Sequence, residues 1–436
     1  MSGAVESPLI AAARAGDVVQ AKRILEEDGD HRDYDALAAA FGAAVRAFRG
    51  NVAQVLLRCG ADAGQCAPDE LPSLREAVDS GSPALVEALL DYSIRDRYAE
   101  SELLEMRDLA RSWYESGVEA ELRRRTGSRG ALVRTRVEDD DNYTVGEFAL
   151  DGMTVRDGHG AILTTLEELL GIRTSCDELM ARALAQDQDH AAWGRAAIVL
   201  SHRRDQETWT AAATLRTHTD PSRRLFGAEL MRLTELFADG HEEEFSVLAV
   251  DALTEWAAEE TDSAVLTMVL HGLDSYQGPR AEAALLAHAG HLDAGVRRAV
   301  ASGLGRSVPP RSLTDEAREA LLALMADVDT DVRLAACSKA GEIMNGDPAV
   351  TNAMAALLPH PERRVRLAAV YGLALHEDER CVEEAERLGP PRPGFHDEEA
   401  GYLDVAWRFM RRRDGIGRRS ESDAKCPGAG DAARFT

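Results

Sequence analysis

Three short stretches near the start of the chain fit one template at intervals of 32 and 33 residues. They are Leu9, Ala12, Gly16 and Leu25; Phe41, Ala44, Phe48 and Leu57; and Leu74, Ala77, Gly81 and Leu90. A second periodicity replaces this one after about residue 186 and runs nearly to residue 390. A period of this size marks a helix pair that cannot bury its apolar side alone, so successive pairs must stack. At 436 residues the chain exceeds a single core unless repeats extend that core in one direction. Ala and Leu dominate the apolar residues and only 5% of the chain is aromatic, a mix suited to close helix packing.

In the first unit Ser7-Pro8-Leu9 supplies a capping hydroxyl, a proline at the first helical position and an inward leucine. Ala12 and Ala13 permit close approach, Gly16 turns the chain, and Ile24-Leu25 closes the core. The second unit ends on Leu56-Leu57 and Gly60-Ala61-Asp62, with Gly60 where a helix end takes a left-handed residue. Phe48 stands at the usual turn glycine and Gly50 follows two residues later, which predicts a distorted turn. The third unit has Leu74, Ala77-Val78, Gly81 and Leu89-Leu90. Together, residues 1–93 resemble ankyrin repeats, although no complete Thr-Pro-Leu-His occurs. That resemblance implies a binding surface.

Residues 94–130 read as capping helices, with Leu103, Met106, Ala110, Trp113 and Leu122 at helical spacing and Trp113 in the core. The insertion at 131–175 changes character. Ala131–Val137, Thr144–Leu150 and Met153–Val155 lean toward strand, and Asp151-Gly152 is a hairpin turn signal. The acidic run Glu138–Asn142 lacks the order of a calcium loop, so it reads as a solvated hairpin tip. Arg156–Gly160 then introduces a helix over 161–170, and the glycines around His159 read as a turn before that helix. A deep pocket with converging polar groups near 131–160 would favour an enzyme.

From residue 186 a carboxylate recurs before an alanine-rich helix: Asp189, Asp220, Asp262, Asp293, Asp329 and Glu362, spaced 31, 42, 31, 36 and 33 apart. Each acid is placed to cap the second helix of a pair, where it meets free N–H groups and the positive helix end. Val296-Arg297, Val332-Arg333 and Val365-Arg366 follow, with small residues after them. This pattern, over 176–389, resembles HEAT repeats in the short form shared with phycobilin lyases. By that resemblance Arg297, Arg333 and Arg366 form a structural ladder to carboxylates of adjacent units. First helices are expected at 176–185, 207–217, 243–257, 280–288, 314–326 and 348–358. Pro390–Gly394 breaks the series, residues 390–413 contain a terminal helix, and 414–436 has the composition of a disordered tail.

No catalytic constellation emerges. HEAT-repeat iron hydroxylases carry His-Glu after the Val-Arg of their repeats; here those positions read Arg298-Ala299, Leu334-Ala335 and Leu367-Ala368. The actual pairs, His241-Glu242 and His376-Glu377, fall in turns. HExxH, Walker, dinucleotide and GxSxG patterns are absent. Trp193, Trp209 and Trp256 could line a groove of the HEAT-like DNA glycosylase kind, but a net charge of −26 opposes a duplex-binding surface. The six cysteines form no CxxC pair, so no zinc site or disulfide framework is expected.

The reading is an all-α protein of two α-solenoid arrays, ankyrin-like then HEAT-like, joined by a linker with a small β-hairpin. Its expected function is a non-catalytic protein-binding adaptor or scaffold that presents acidic concave repeat surfaces to a protein or peptide partner, with no cofactor or metal. The alternatives are a HEAT-like enzyme of the lyase or glycosylase type, or an immunity-type inhibitor of a basic partner. The expected partner is a basic protein or peptide rather than nucleic acid or membrane, attracted by charge. Glu242, Glu243, Glu244, Asp315, Glu316 and Glu319 are the candidate acidic contact surface. Lysine accounts for only Lys22, Lys339 and Lys425 among 50 basic residues, a codon skew expected of a GC-rich bacterial genome. Nowhere do 18 apolar residues run together and no signal segment is apparent, so a cytoplasmic protein is expected.

Overall fold

Proline at the first helical position starts the chain's first helix, and Gly16, at φ +79, ends it with a left-handed turn. Ser7 sits at the N-cap, but its hydroxyl accepts no helix N–H, contrary to the expected cap. The computed structural model describes residues 7–28, 33–67, 71–140, 142–236, 243–276, 278–305, 314–343, 347–390 and 398–424. The chain parts into two units, Met1–Gly272 and Leu273–Thr436. It is an all-α solenoid of helix pairs carrying one small sheet.

Unit 1 opens with α1 (Pro8–Ala15), α2 (Val18–Asp28), α3 (Tyr34–Arg46), α4 (Gly50–Arg58), α5 (Leu74–Ser80) and α6 (Pro83–Leu89). The template residues Leu9, Ala12, Phe41, Ala44, Leu74 and Ala77 all lie in one core with Val52, Leu56, Leu85 and Leu89. The turn at Phe48 is not distorted: Phe48 itself takes the left-handed conformation, at φ +57, that glycine takes elsewhere. Gly50 has a separate duty, since a Cβ there would come within 2.5 Å of the Leu85 backbone nitrogen. A glycine is therefore needed where α4 begins against α6.

The insertion follows as α7 (Glu100–Ser116), α8 (Val118–Thr126), β1 (Val133–Glu138), β2 (Thr144–Leu150), β3 (Met153–Arg156) and α9 (His159–Leu169). The strands form an antiparallel meander in the order β1-β2-β3. Asp151 and Gly152, at φ +50 and +82, make the two-residue turn that joins β2 to β3. Glu138 and Asn142 of the acidic tip are exposed as expected, but Asp139 is not. Asp139 is 1% exposed and accepts from the Ser82 hydroxyl at 2.6 Å, the Ala84 N–H at 2.7 Å and Arg156 Nη1 at 3.0 Å. The sheet lies against the earlier helices, so the carboxylate of its tip lands on the N-terminus of α6, where negative charge is favoured. Gly81 makes the close approach possible. At φ +72 its Cβ position is filled by the Arg156 carbonyl oxygen, and its own carbonyl accepts from Gly158 N at 3.1 Å.

Unit 1 continues with α10 (Cys176–Leu184), α11 (Ala191–Arg203), α12 (Gln206–Leu215), α13 (Pro221–Leu236), α14 (Glu243–Glu259) and α15 (Ser263–Asp274), which ends just past the unit boundary. The linker is itself packed: α9 contacts α6 and α7 on one side and α11 on the other, and Ile162, Leu163 and Leu166 belong to the core that starts at Leu9. Behind α9, the fully buried Arg182 donates to Glu167 at 2.7 Å and Thr164 at 3.0 Å, fixing α10 beneath it.

Unit 2 comprises α16 (Pro279–Leu286), α17 (Ala294–Gly303), α18 (Asp315–Leu324), α19 (Thr330–Ile343), α20 (Pro348–Leu357), α21 (Arg363–Leu375), α22 (Val382–Leu388) and α23 (Glu398–Ala424). The second helices α17, α19, α21 and α23 pack in succession. Thus α23 takes the place of one more second helix, and it runs through the start of the expected tail; residues 425–436 lie outside the described residues. Trp407 Nε1 ties it to the Gly389 carbonyl at 3.0 Å.

Most of the recurring acids cap as expected. Asp220, Asp262, Asp293 and Asp329 each accept from backbone N–H groups at the start of the following helix. Two do not. His190, rather than Asp189, caps α11 through Nδ1, and Glu362 accepts from the Thr330 hydroxyl instead of its own helix.

The arginine four residues after the cap closes the turn. Arg224, Arg297, Arg333 and Arg366 each donate Nη1 to the two carbonyls immediately before their own cap residue, for Arg297 those of His291 at 2.8 Å and Leu292 at 2.9 Å. The remaining guanidinium N–H groups reach onward. Arg224 forks onto Glu260 at 2.9 and 3.0 Å, Arg297 onto Asp327 at 2.7 and 2.8 Å, and Arg366 reaches Glu384 at 2.8 Å. The ladder skips Arg333, which donates to Thr330 at 2.8 Å, because the residue two before the next cap is His360 rather than a carboxylate.

These clamps predict an asymmetry between neighbours. Arg297→Ala strands a nearly buried Asp327 and two turn carbonyls, and is expected to destabilise unit 2 by about 3 kcal/mol. Arg298→Ala, at an exposed position, is expected to change stability by no more than about 0.5 kcal/mol. Urea unfolding followed by circular dichroism checks the pair.

Candidate functional site

The strict face alternation of an amphipathic helix leaves one side of each second helix unused by the core. In unit 2, counting from the cap residue, the core takes Val296, Val332 and Val365 three positions on, while positions two, five and nine fall on the opposite side. Those positions carry Asp331 and Arg364, then Arg298, Leu334 and Leu367, then Ser302 and Ser338. They line a groove with a volume of about 670 Å³ that crosses α17, α19, α21 and α23 and is also lined by Asp274, Glu399 and Tyr402.

The groove carries both signs of charge. Lys339, nearly buried, lies 3.6 Å from Asp274; Arg364 lies 3.3 Å from Asp331; and Arg363, beside the groove, lies 2.6 Å from Glu399. Arg298 is exposed and forms no ion pair among the described residues. Ser338 and Tyr402 share a hydrogen bond at 2.9 Å, and the Tyr402 ring stacks on Tyr371 with centroids 4.4 Å apart. In a chain of net charge −26 this surface is mixed rather than acidic, which departs from the expected acidic lining. Chemically it offers paired charges, hydroxyls and an aromatic edge along a line of rigid helices, an arrangement suited to holding an extended polar segment.

The acidic residues proposed from sequence lie elsewhere. Asp315, Glu316 and Glu319 are exposed on α18, a first helix, and none lines the groove. Asp315 and Glu316 occupy the first turn of that helix, where acids are favoured by the helix end alone. Glu243 and Glu244 begin α14 in the other unit, with side chains outside the described residues, and Glu242 lies outside them altogether. The sequence reading missed the groove because it followed the capping and core positions; the same register, read for the complementary face, marks Arg298, Leu334 and Ser338.

A second depression, of about 480 Å³, borders β3 in unit 1 and is lined by Phe48, Arg49, Glu76, Asp79, Arg125, Glu147 and Arg156, among others. Its carboxylates are engaged with neighbouring side chains and backbone. Asp79 accepts from Trp113 Nε1 at 2.7 Å and Arg125 at 2.9 Å, Glu147 faces Arg156 at 3.4 Å, and Glu76 closes a capping box with Ser73. Arg125, Trp113 and His159 form a stack, with His159 4.7 Å from the indole and 1% exposed. Trp193 and Trp256 are likewise buried, their indole N–H groups on Glu229 and Glu260, so neither lines a groove.

Comparison with known proteins covers the turns clamped by Arg297, Arg333 and Arg366. Residues 283–374 match HEAT repeats. The crystal structure of YibA from Escherichia coli is similar at 18% identity and a TM-score of 0.38, over 53% of this chain and 92% of that one. No curated protein matches the chain. Within the HEAT-like segment, the capping acids and the arginines hold the turns and helix starts.

The buried stack in unit 1 makes stability depend on pH. Burial pulls His159 from an ordinary 6.5 down to about 4, opposed by the nearby Val78 carbonyl and the carboxylates of Asp79 and Asp157, with Arg125 adding to the shift. Below pH 6.5 the unfolded chain takes up this proton and the folded chain does not, so stability falls as pH drops from about 6.5 to about 4. The loss attributable to His159 is of order 3 kcal/mol. His159→Phe, which keeps the stack, is expected to flatten that part of the profile; urea unfolding of both proteins across this range reads the difference.

Proposed function

We propose that the chain is a non-catalytic scaffold that binds a protein or peptide partner, with the unit 2 groove as one contact surface. The observation that supports this reading is the recurrence of the same helix positions along the groove on consecutive second helices, with Arg298, Asp331 and Arg364 exposed, next to turns held by arginine clamps. A preorganised surface of this kind loses little entropy when an extended segment is laid along it. Ankyrin-like repeats in the N-terminal part are consistent with a second binding surface. The large negative charge favours a basic partner over nucleic acid, and in the cytoplasm of a bacterium, where the composition points, it would speed capture of such a protein.

Photo-crosslinking tests the groove. With a photoreactive residue in place of Ser338, irradiation in the native lysate is expected to give discrete polypeptide adducts. Arg298→Glu is expected to reduce them several-fold, while a photoreactive residue at exposed Glu319 gives none of the same species. Adducts that are equal at both positions, or a small-molecule product turned over by the purified protein, would contradict a groove-binding scaffold.

A further inference from the structure

The two most exposed large hydrophobic side chains among the described residues are Leu292, at 97%, and Val328, at 91%. They are not scattered. Each is the residue immediately before a cap, Asp293 or Asp329, so they occupy the same point on adjacent repeats; the next repeat puts Pro361, also exposed, before Glu362. Nor are they on slack loops. The Leu292 and Val328 carbonyls are held by Arg297 at 2.9 Å and Arg333 at 3.2 Å, and the Pro361 carbonyl by Arg366 at 2.8 Å. With the backbone pinned inward by the guanidinium, the aliphatic side chain is presented outward on an ordered turn. At corresponding positions in unit 1 the clamped and unclamped turns carry Thr219 and Thr261, so the architecture does not itself demand an apolar residue there.

We infer that this turn edge of unit 2 is a docking surface for a basic amphipathic helix of a partner protein. The inference rests on the scaffold reading above and names a second surface for it. Adjacent helices in such arrays lie about 10 Å apart, which sets the interval between Leu292, Val328 and Pro361. A partner helix rises about 1.5 Å per residue, so side chains seven apart return to the same face after about 10.5 Å and meet successive turns. An extended strand covers the distance in about three residues, which puts alternate contacts on opposite faces. The helix fits and the strand does not.

Charge sets the flanks. Asp293, Asp329, Asp331 and Glu362 ring the aliphatic positions. The nearby cations are already committed: Arg297 and Arg333 to the turns, Arg363 to Glu399 at 2.6 Å and Arg364 to Asp331 at 3.3 Å. Lysine or arginine beside the heptad positions of the partner would therefore meet Asp293 and Glu362, exposed carboxylates that form no ion pair among the described residues, and an anionic surface would be repelled.

A synthetic helix of three heptads, with leucine at the repeating position and lysine at its flanks, serves as probe. Fluorescence anisotropy is expected to show saturable, salt-sensitive binding to the full chain. The Leu292→Ser/Val328→Ser double variant is expected to bind at least tenfold more weakly, whereas Val19→Ser, at an exposed apolar residue of unit 1, leaves the affinity within twofold. A peptide of the same composition with its leucines out of register is expected to bind no better than the double variant does. Failure of the probe to bind, or equal affinity for wild type and double variant, overturns the docking surface. So does a wild-type dimer in sedimentation that the double variant dissolves, which would assign the edge to a second copy. Loss of binding only in Arg298→Glu also overturns it while leaving the groove scaffold standing.

Discussion

A clamping guanidinium in four of the six acid-led repeats, including the last three, carries the organisation of the C-terminal array. Placed four residues past the helix cap, it saturates two carbonyls that a tight turn would otherwise leave without partners, and in three of the four cases it reaches a carboxylate farther along the chain. Buried carbonyls need donors, and nearly buried carboxylates need cations. Each arginine meets both needs at once, so a local turn and a longer-range contact stand or fall together. The surfaces on either side of the clamp inherit its rigidity: the groove along the second helices and the aliphatic tips of the turns.

In the first part of unit 1, before the Arg224 clamp, the equivalent task falls to a carboxylate. Asp139, delivered by the strand meander, caps a helix of the first series across more than fifty residues of sequence. Together with α9, which packs on α6, α7 and α11, it makes the insertion the joint of that unit. Glycines at 81 and 158 are what let the end of β3 come so close. The insertion, which motif reading leaves without a role, is an architectural device.

Much of the fold was legible because repeats speak through periodicity. Leu9, Phe41 and Leu74 announced buried positions directly, and the first helices from 176 onward begin and end within a few residues of where their spacing placed them. What was not legible depends on contacts between distant segments. Nothing local distinguishes the acidic tip at Asp139 from an exposed hairpin, since only the neighbouring α6 makes it buried. Arg224 escaped notice because its repeat lacks the preceding valine, and Arg333 was grouped with Arg297 although its partner position holds His360. Of the acidic contact residues expected from sequence, Asp315 and Glu316 stand in the first turn of a helix, where a carboxylate is favoured in any case. The groove residues were encoded in the same register as the core, one face away.

A double-mutant cycle on Arg297 and Asp327 tests the central claim most directly, because it isolates the clamp from each residue's other contacts. The account predicts a coupling of about 1.5 kcal/mol or more in urea unfolding, with amides of the following turn at 329–332 losing hydrogen-exchange protection in either single variant. Additive effects within about 0.3 kcal/mol, with protection lost only at 291–296, would show that the arginine serves its own turn alone and that the repeats are stitched by apolar packing instead.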